Sequence, residues 1–180
     1  MTDNDESIAL LVRALDQASD VIAAVGPDQL SLPTPCGDWD VAELIAHLVA
    51  APTHFVTMAT GGSPDWSAGA PAADDRVAQF RSGADELLAF WRSAADTSEA
   101  SPVDWQLAEL AVHTWDLARA TGQTRQLDGE VAERGLAFMA AGLTADNRGV
   151  AFGPEVPVPA DAAAYDRLAA MAGRDPFTQP

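Results

Sequence analysis

A chain of 180 residues, 48% of them hydrophobic, is long enough for one domain with a sizeable core. Its formal charge of -17, from 27 acids against 10 bases, argues against a nucleic-acid or anionic-membrane partner, which would need clustered Lys and Arg. The single cysteine, Cys36, allows no intramolecular disulfide, the acidic start Met1-Thr2-Asp3-Asn4-Asp5-Glu6 is unlike a signal peptide, and no apolar run reads as long enough to span a bilayer; the expectation is a soluble cytoplasmic protein with one domain over 1–180.

Ile8, Leu11, Val12, Leu15, Ala18 and Ile22 recur at helical spacing and predict a first amphipathic helix over about 5–25, ended by Gly26-Pro27. A Pro-rich loop over 26–39 follows. Asp40 is placed to cap the second helix, Glu43 sits at the capping-box position, and Val41, Leu44, Ile45, Leu48 and Phe55 form the core stripe. His47 lies to one side of that stripe, and His54, seven residues on, points nearly the same way. Pro52 is expected to kink the helix or end its first part. Residues 61–73 read as a linker or flexible loop.

A third helix over about 74–96 buries Val77, Phe80, Ala84, Leu87, Leu88 and Trp91, with Gly83 weakening it modestly. Ser101-Pro102-Val103-Asp104 is a helix-start signature for the fourth helix, and Gly122 is placed to cap its end. A fifth helix is expected over 129–143 behind Asp128, with Val131, Leu136, Phe138 and Met139 apolar. The segment 150–159, with three prolines, should be extended; a short helix around 161–172 then turns Tyr165, Leu168 and Met171 inward before Gly173. With no repeat and no alternating β-pattern, the fold class is all-α: a bundle of four main helices with short C-terminal additions.

The fourth helix carries the chemistry. Val103, Leu107, Leu110, Thr114 and Leu117 form its apolar stripe, and beside it run Gln106, Glu109, His113 and Asp116. Glu109 and His113, four residues apart, point within about 40° of each other and can grip one divalent ion together. Reactive zinc-type sites combine three protein ligands with an open position, and His47 is the natural third ligand. The same spacing also suits a surface helix pair, with His47 a satisfied core histidine. His54 reads as a fourth ligand, a partner to a ligand, a general base, or only a polar residue on the cleft wall. Asp116 either orients a ligand or pairs with Arg119. Cys36 is a ligand, a reactive thiol or an inert buried cysteine, and Trp39, Trp105 and Trp115 are packing or a substrate wall.

Thr34-Pro35-Cys36-Gly37-Asp38-Trp39-Asp40-Val41 through His47-Leu48-Val49 resembles the loop and second helix of the DinB-like superfamily, in its actinobacterial branch. That branch includes the N-terminal domain of mycothiol-dependent maleylpyruvate isomerase. Glu109-x-x-x-His113-Thr114-Trp115-Asp116-Leu117-Ala118-Arg119-Ala120-Thr121-Gly122 resembles its second signature; Ala151-Phe152-Gly153-Pro154 and Gly173-Arg174-Asp175-Pro176 look like the short, single-domain members. The resemblance implies a four-helix bundle holding a divalent metal, usually zinc, on His47, Glu109 and His113. It implies activation of a low-molecular-weight thiol, mycothiol in actinobacteria, for transfer to an electrophile or for cis–trans isomerisation. A non-catalytic metal-binding or stress-related bundle is the alternative, and metal-dependent hydrolysis with His54 as base is a third. The isomerase has a second, C-terminal domain for which this chain is too short, and the connection Asp96 to Ala100 looks shorter than in relatives, so the isomerase's substrate does not carry over. Bundles of this kind often pair as homodimers through exposed helix faces, though no face here demands it.

Overall fold

The computed structural model describes residues 3–37, 39–70, 75–93, 101–148 and 152–178, without the side chains of residues 3, 4, 101 and 102. Among them are six α-helices and no strand: α1 (Asp3–Ala23), α2 (Val41–Ala59), α3 (Arg76–Ser93), α4 (Ser101–Ala120), α5 (Gly129–Gly142) and α6 (Ala164–Met171). A single 3-10 turn, Pro27–Gln29, follows α1. The all-α expectation holds. The connection Asp96 to Ala100, the ends expected for the third helix and whatever caps α4 lie outside the described residues.

The elements form for legible reasons. Asp40 and Glu43 close the capping box on α2: Glu43 N–H donates to Asp40 Oδ1 at 2.9 Å and Asp40 N–H to Glu43 Oε2 at 3.0 Å. At the end of α4, Gly122 takes φ 65°. Gln123 N–H then reaches the Ala118 carbonyl at 2.9 Å and Gly122 N–H the Arg119 carbonyl at 3.2 Å, the paired bonds that a glycine-capped helix end needs. The helix α2 does not stop at Pro52 but continues to Ala59. Gly83, which weakens α3 in isolation, earns its place by packing: a Cβ there would stand 3.3 Å from that of Pro52, so its absence lets α3 approach α2.

Helix α4 is the axis of the fold, touching α1, α2, α5 and α6. Leu107, Leu110 and Leu117 on its apolar stripe are fully buried with Leu11, Ile22, Leu44, Phe55 and Leu168. Gly135 brings α5 so near that an added Cβ would lie 3.1 Å from the Ala108 Cα. By length and composition α2 is apolar enough to cross a bilayer, which corrects the expectation that no run is; 56% of that segment is buried inside the bundle, as in a core helix.

The loop after α2 is not a free linker. Gly62 N–H donates to the Thr57 carbonyl at 2.8 Å, and Ala70 N–H to the Ala46 carbonyl at 2.9 Å, so the described part of the loop lies back along α2. Of the segment expected to be extended, the described residues 152–159 form neither helix nor strand, with Val156 N–H bonded to the Ala170 carbonyl at 3.0 Å; residues 150 and 151 lie outside the described residues.

Candidate metal centre

Neighbouring helices α2 and α4 supply His47 and the pair Glu109 and His113. The structure brings these three together: one ligand atom from each lies within 4.8 Å of the others. His47 Nε2 is 2.8 Å from Glu109 Oε1, and His113 Nε2 is 3.3 Å from the same oxygen. Side-chain exposure is 9% for His47 and 10% for His113, but 18% for Glu109, so the cluster meets solvent mainly at the carboxylate.

Burial alone would push the Glu109 carboxyl up; the charges and hydrogen bonds of His113 and His47 override it and hold the group well below the ordinary carboxylate range. Burial would likewise lower His113, but the charge of Glu109, then hydrogen bonds with Asp116, Cys36 and Glu109, raise it well above its ordinary value. Two nitrogens and a carboxylate converging on one point are a fitting donor set for a divalent transition metal.

Behind His113 stands a second layer. His113 Nδ1–H donates to Asp116 Oδ2 at 3.1 Å, which fixes the ring and leaves Nε2 facing Glu109 and His47. Asp116 is fully buried, and its partner is Arg174 rather than Arg119: Arg174 Nε reaches Oδ1 at 3.2 Å and Nη2 reaches Oδ2 at 3.1 Å. Arg119 instead donates to the carbonyls of Pro176 and Thr178. Arg174 follows Gly173, whose φ of 81° ends α6. A Cβ at Gly173 would sit 2.6 Å from the backbone of Gly153, so only two glycines allow the C-terminal turn to close and aim Arg174 inward.

Cys36 is half-buried, its sulfur within 4.8 Å of ligand atoms of His113 and Asp116 rather than in the His47–Glu109 group. The turn holding it is fixed by Thr34 Oγ1, which accepts from Cys36 N–H at 3.2 Å and donates to the Trp39 carbonyl at 2.8 Å. That turn lays Trp39 over His47 at 4.7 Å and near His113 at 6.0 Å, ring centre to ring centre. Trp66 completes the wall, 5.7 Å from His47, 4.8 Å from His54 and 5.6 Å from Trp105. Trp115 is buried in the core.

His54 stands outside the ligand group, edge-on to Trp66, and its Nδ1 is buried with no hydrogen-bond partner among the described residues. Its pKa is lowered by burial first and by the charge of His47 second, with Asp65 opposing both. Sequence reasoning missed Trp66 and Arg174. An aromatic residue inside an otherwise small and polar loop was the available signal for Trp66; Arg174 had only its place in a Gly-Arg-Asp-Pro motif.

The family model described as the mycothiol maleylpyruvate isomerase N-terminal domain matches residues 11–118, more than half of the chain. Two uncharacterized proteins of Mycobacterium tuberculosis, from the CDC 1551 / Oshkosh and H37Rv strains, are each 32% identical over 171 residues, covering 90% of this chain and 94% of the relative. No solved structure matches it. The three candidate ligands fall inside the matched stretch, and the chain belongs to the mycothiol maleylpyruvate isomerase N-terminal domain family.

Proposed function

We propose that the protein binds one divalent metal, most simply zinc, through His47, Glu109 and His113, and uses it as a thiol transferase or isomerase acting with mycothiol or a similar small thiol. The observation that carries this reading is the convergence of two imidazole nitrogens and one carboxylate oxygen within 4.8 Å, in a chain whose family is named for a mycothiol-dependent enzyme. When bound, the cation would stabilise a thiolate at neutral pH. The chain's own contribution is orientation and proton handling. Asp116 and Arg174 hold the His113 ring, and Trp39 and Trp66 shield the His47 ring. His54, kept neutral by its surroundings, is the base we assign to take up the thiol proton. Its position on Trp66, outside the ligand group, speaks for an open coordination site and against a closed four-ligand structural metal.

Elemental analysis of protein purified without added metal, alongside His113→Ala, tests the centre. About one equivalent of a transition metal, lost in the variant, is expected. No metal in either, and none taken up on addition, would sink the reading. Thiol consumption with mycothiol and an electrophile, abolished by the same substitution, tests the chemistry; turnover that proceeds without any thiol would favour hydrolysis instead.

A further inference from the structure

Glu109 has a second face. A cavity of about 250 Å³ opens between α4, α5 and the C-terminal segment, walled by Trp105, Val112, Phe138, Met139 and Phe152, with Glu109 also in its lining. Among the described residues lining it, Glu109 is the sole titratable group. The chain has no lysine, and all ten arginines lie in described segments. Two arginines stand beside this region: Arg174, 6.0 Å over the Phe152 ring and engaged by Asp116, and Arg148, which lines a neighbouring cavity that shares Leu143 and Phe152. Arg148 is likewise committed, donating to the carbonyls of Gly153 at 2.9 Å and Met171 at 2.7 Å, with Glu155 at 3.9 Å. An anionic ligand would therefore bury its charge without a protein counter-charge, inside a molecule of net charge -17.

We propose that this cavity takes an uncharged, apolar small molecule of about bicyclic aromatic size, and that this is the electrophile presented to the centre at Glu109. The role as electrophile rests on the reading given under Proposed function; occupancy of the cavity does not. The lining suits a small ligand site, apolar over most of its wall with Glu109 as the one titratable group among the described residues that line it. Besides His113, which is already engaged by Glu109 and Asp116, the counter-charge open to an acidic ligand is the metal, so binding must be read with and without it.

The test uses two probes with one ring system: N-phenylnaphthylamine, uncharged, and anilinonaphthalene sulfonate. Fluorescence titration of the full chain, metal-free and metal-loaded, should show one equivalent of the neutral probe bound at least tenfold more tightly than the sulfonate in both forms. Gly142 lines the cavity and a Cβ there meets no atom within 4 Å, so Gly142→Leu adds apolar bulk to the wall without a clash. Phe138→Asp puts a carboxylate on a half-exposed wall residue. Each should weaken the neutral probe at least tenfold with the helical circular dichroism signal retained, whereas His113→Ala should leave it within twofold. A sulfonate bound as tightly as the neutral probe in either form, or neutral binding unchanged in both cavity variants, would overturn the proposal. Loss of thiol transfer with probe binding intact would remove the catalytic reading and leave the cavity; the reverse would remove the cavity alone.

Discussion

The pair between Asp116 and Arg174 gives the sharpest prediction. Side-chain exposure is 0% for Asp116 and 4% for Arg174, and both Asp116 oxygens are engaged by the guanidinium. Arg174→Met leaves a buried carboxylate with His113 as its remaining side-chain hydrogen-bond partner among the described residues. Removing one partner of such a pair costs about 3–5 kcal/mol. At about 2–4 °C per kcal/mol for a chain of this size, the melting temperature should fall by roughly 6–20 °C. The double variant Asp116→Leu with Arg174→Met removes both charges, and with them the desolvation that the pair must offset. It should cost far less than the sum of the two single changes, a coupling of more than about 1 kcal/mol. Urea denaturation followed by circular dichroism on the four proteins closes the cycle. Additive single and double effects, or a cost under about 1 kcal/mol for Arg174→Met, would refute the claim that a buried charge pair ties the C-terminal turn to the candidate centre.

Asp116→Leu should also weaken metal binding by about 10–100-fold, read by competition with a chromophoric chelator, because the His113 ring loses the acceptor that fixes it. In metal-free protein the raised His113 gives stability that is complete below its ordinary value of 6.5 and is lost as pH rises through its folded value; the lowered Glu109 gives stability present above 4.5 and lost as pH falls. The metal-free melting temperature should therefore decline above about pH 6.5, while the increment from saturating metal widens with pH, since metal and proton compete for His113. Gly122→Ala should cost about 1–2 kcal/mol, the price of a left-handed alanine with open space around it. Gly173→Ala should cost clearly more, because its Cβ would also meet the Gly153 backbone at 2.6 Å; equal melting shifts for the two would count against that contact.

What was legible in the sequence is what local chemistry dictates. The capping box at Asp40, the glycine cap at Gly122 and the helical stripes through Leu107, Leu110 and Leu117 each depend on residues within a few positions of one another. The approach of His47 to Glu109 and His113 was legible at one remove, since flanking positions on neighbouring helices of a bundle meet near its interior. Of the two outcomes expected at Pro52, a kink or an end, the end does not occur: the proline is buried inside a helix that runs on to Ala59. The docked loop carrying Trp66 and the closure that brings Arg174 to Asp116 were not legible. Arg174 lies 58 residues from its partner, and nothing in its own neighbourhood records that distance being closed.

These distant pieces explain how a polar row can sit at the centre of an apolar bundle. Gln106, His113 and Asp116 on α4 are all buried, and each buried polar group needs a partner. Trp91 supplies one, its indole N–H donating to Gln106 Oε1 at 2.9 Å from α3. Asp116 and His113 serve each other, and Arg174 reaches Asp116 from beyond α6. Glu109 joins His113 to His47 of α2. The polar row on the central helix is thus satisfied by segments from both sides of it in sequence, and its geometry exists only when those segments are docked. Unfolding separates the three candidate ligands, so metal affinity and folding stability draw on the same contacts. A metal held 100-fold above its dissociation constant would add about 2.7 kcal/mol to the folded state. A variant that loosens the C-terminal turn should lose metal affinity and global stability together, because Arg174 is tied through Asp116 to the His113 ring.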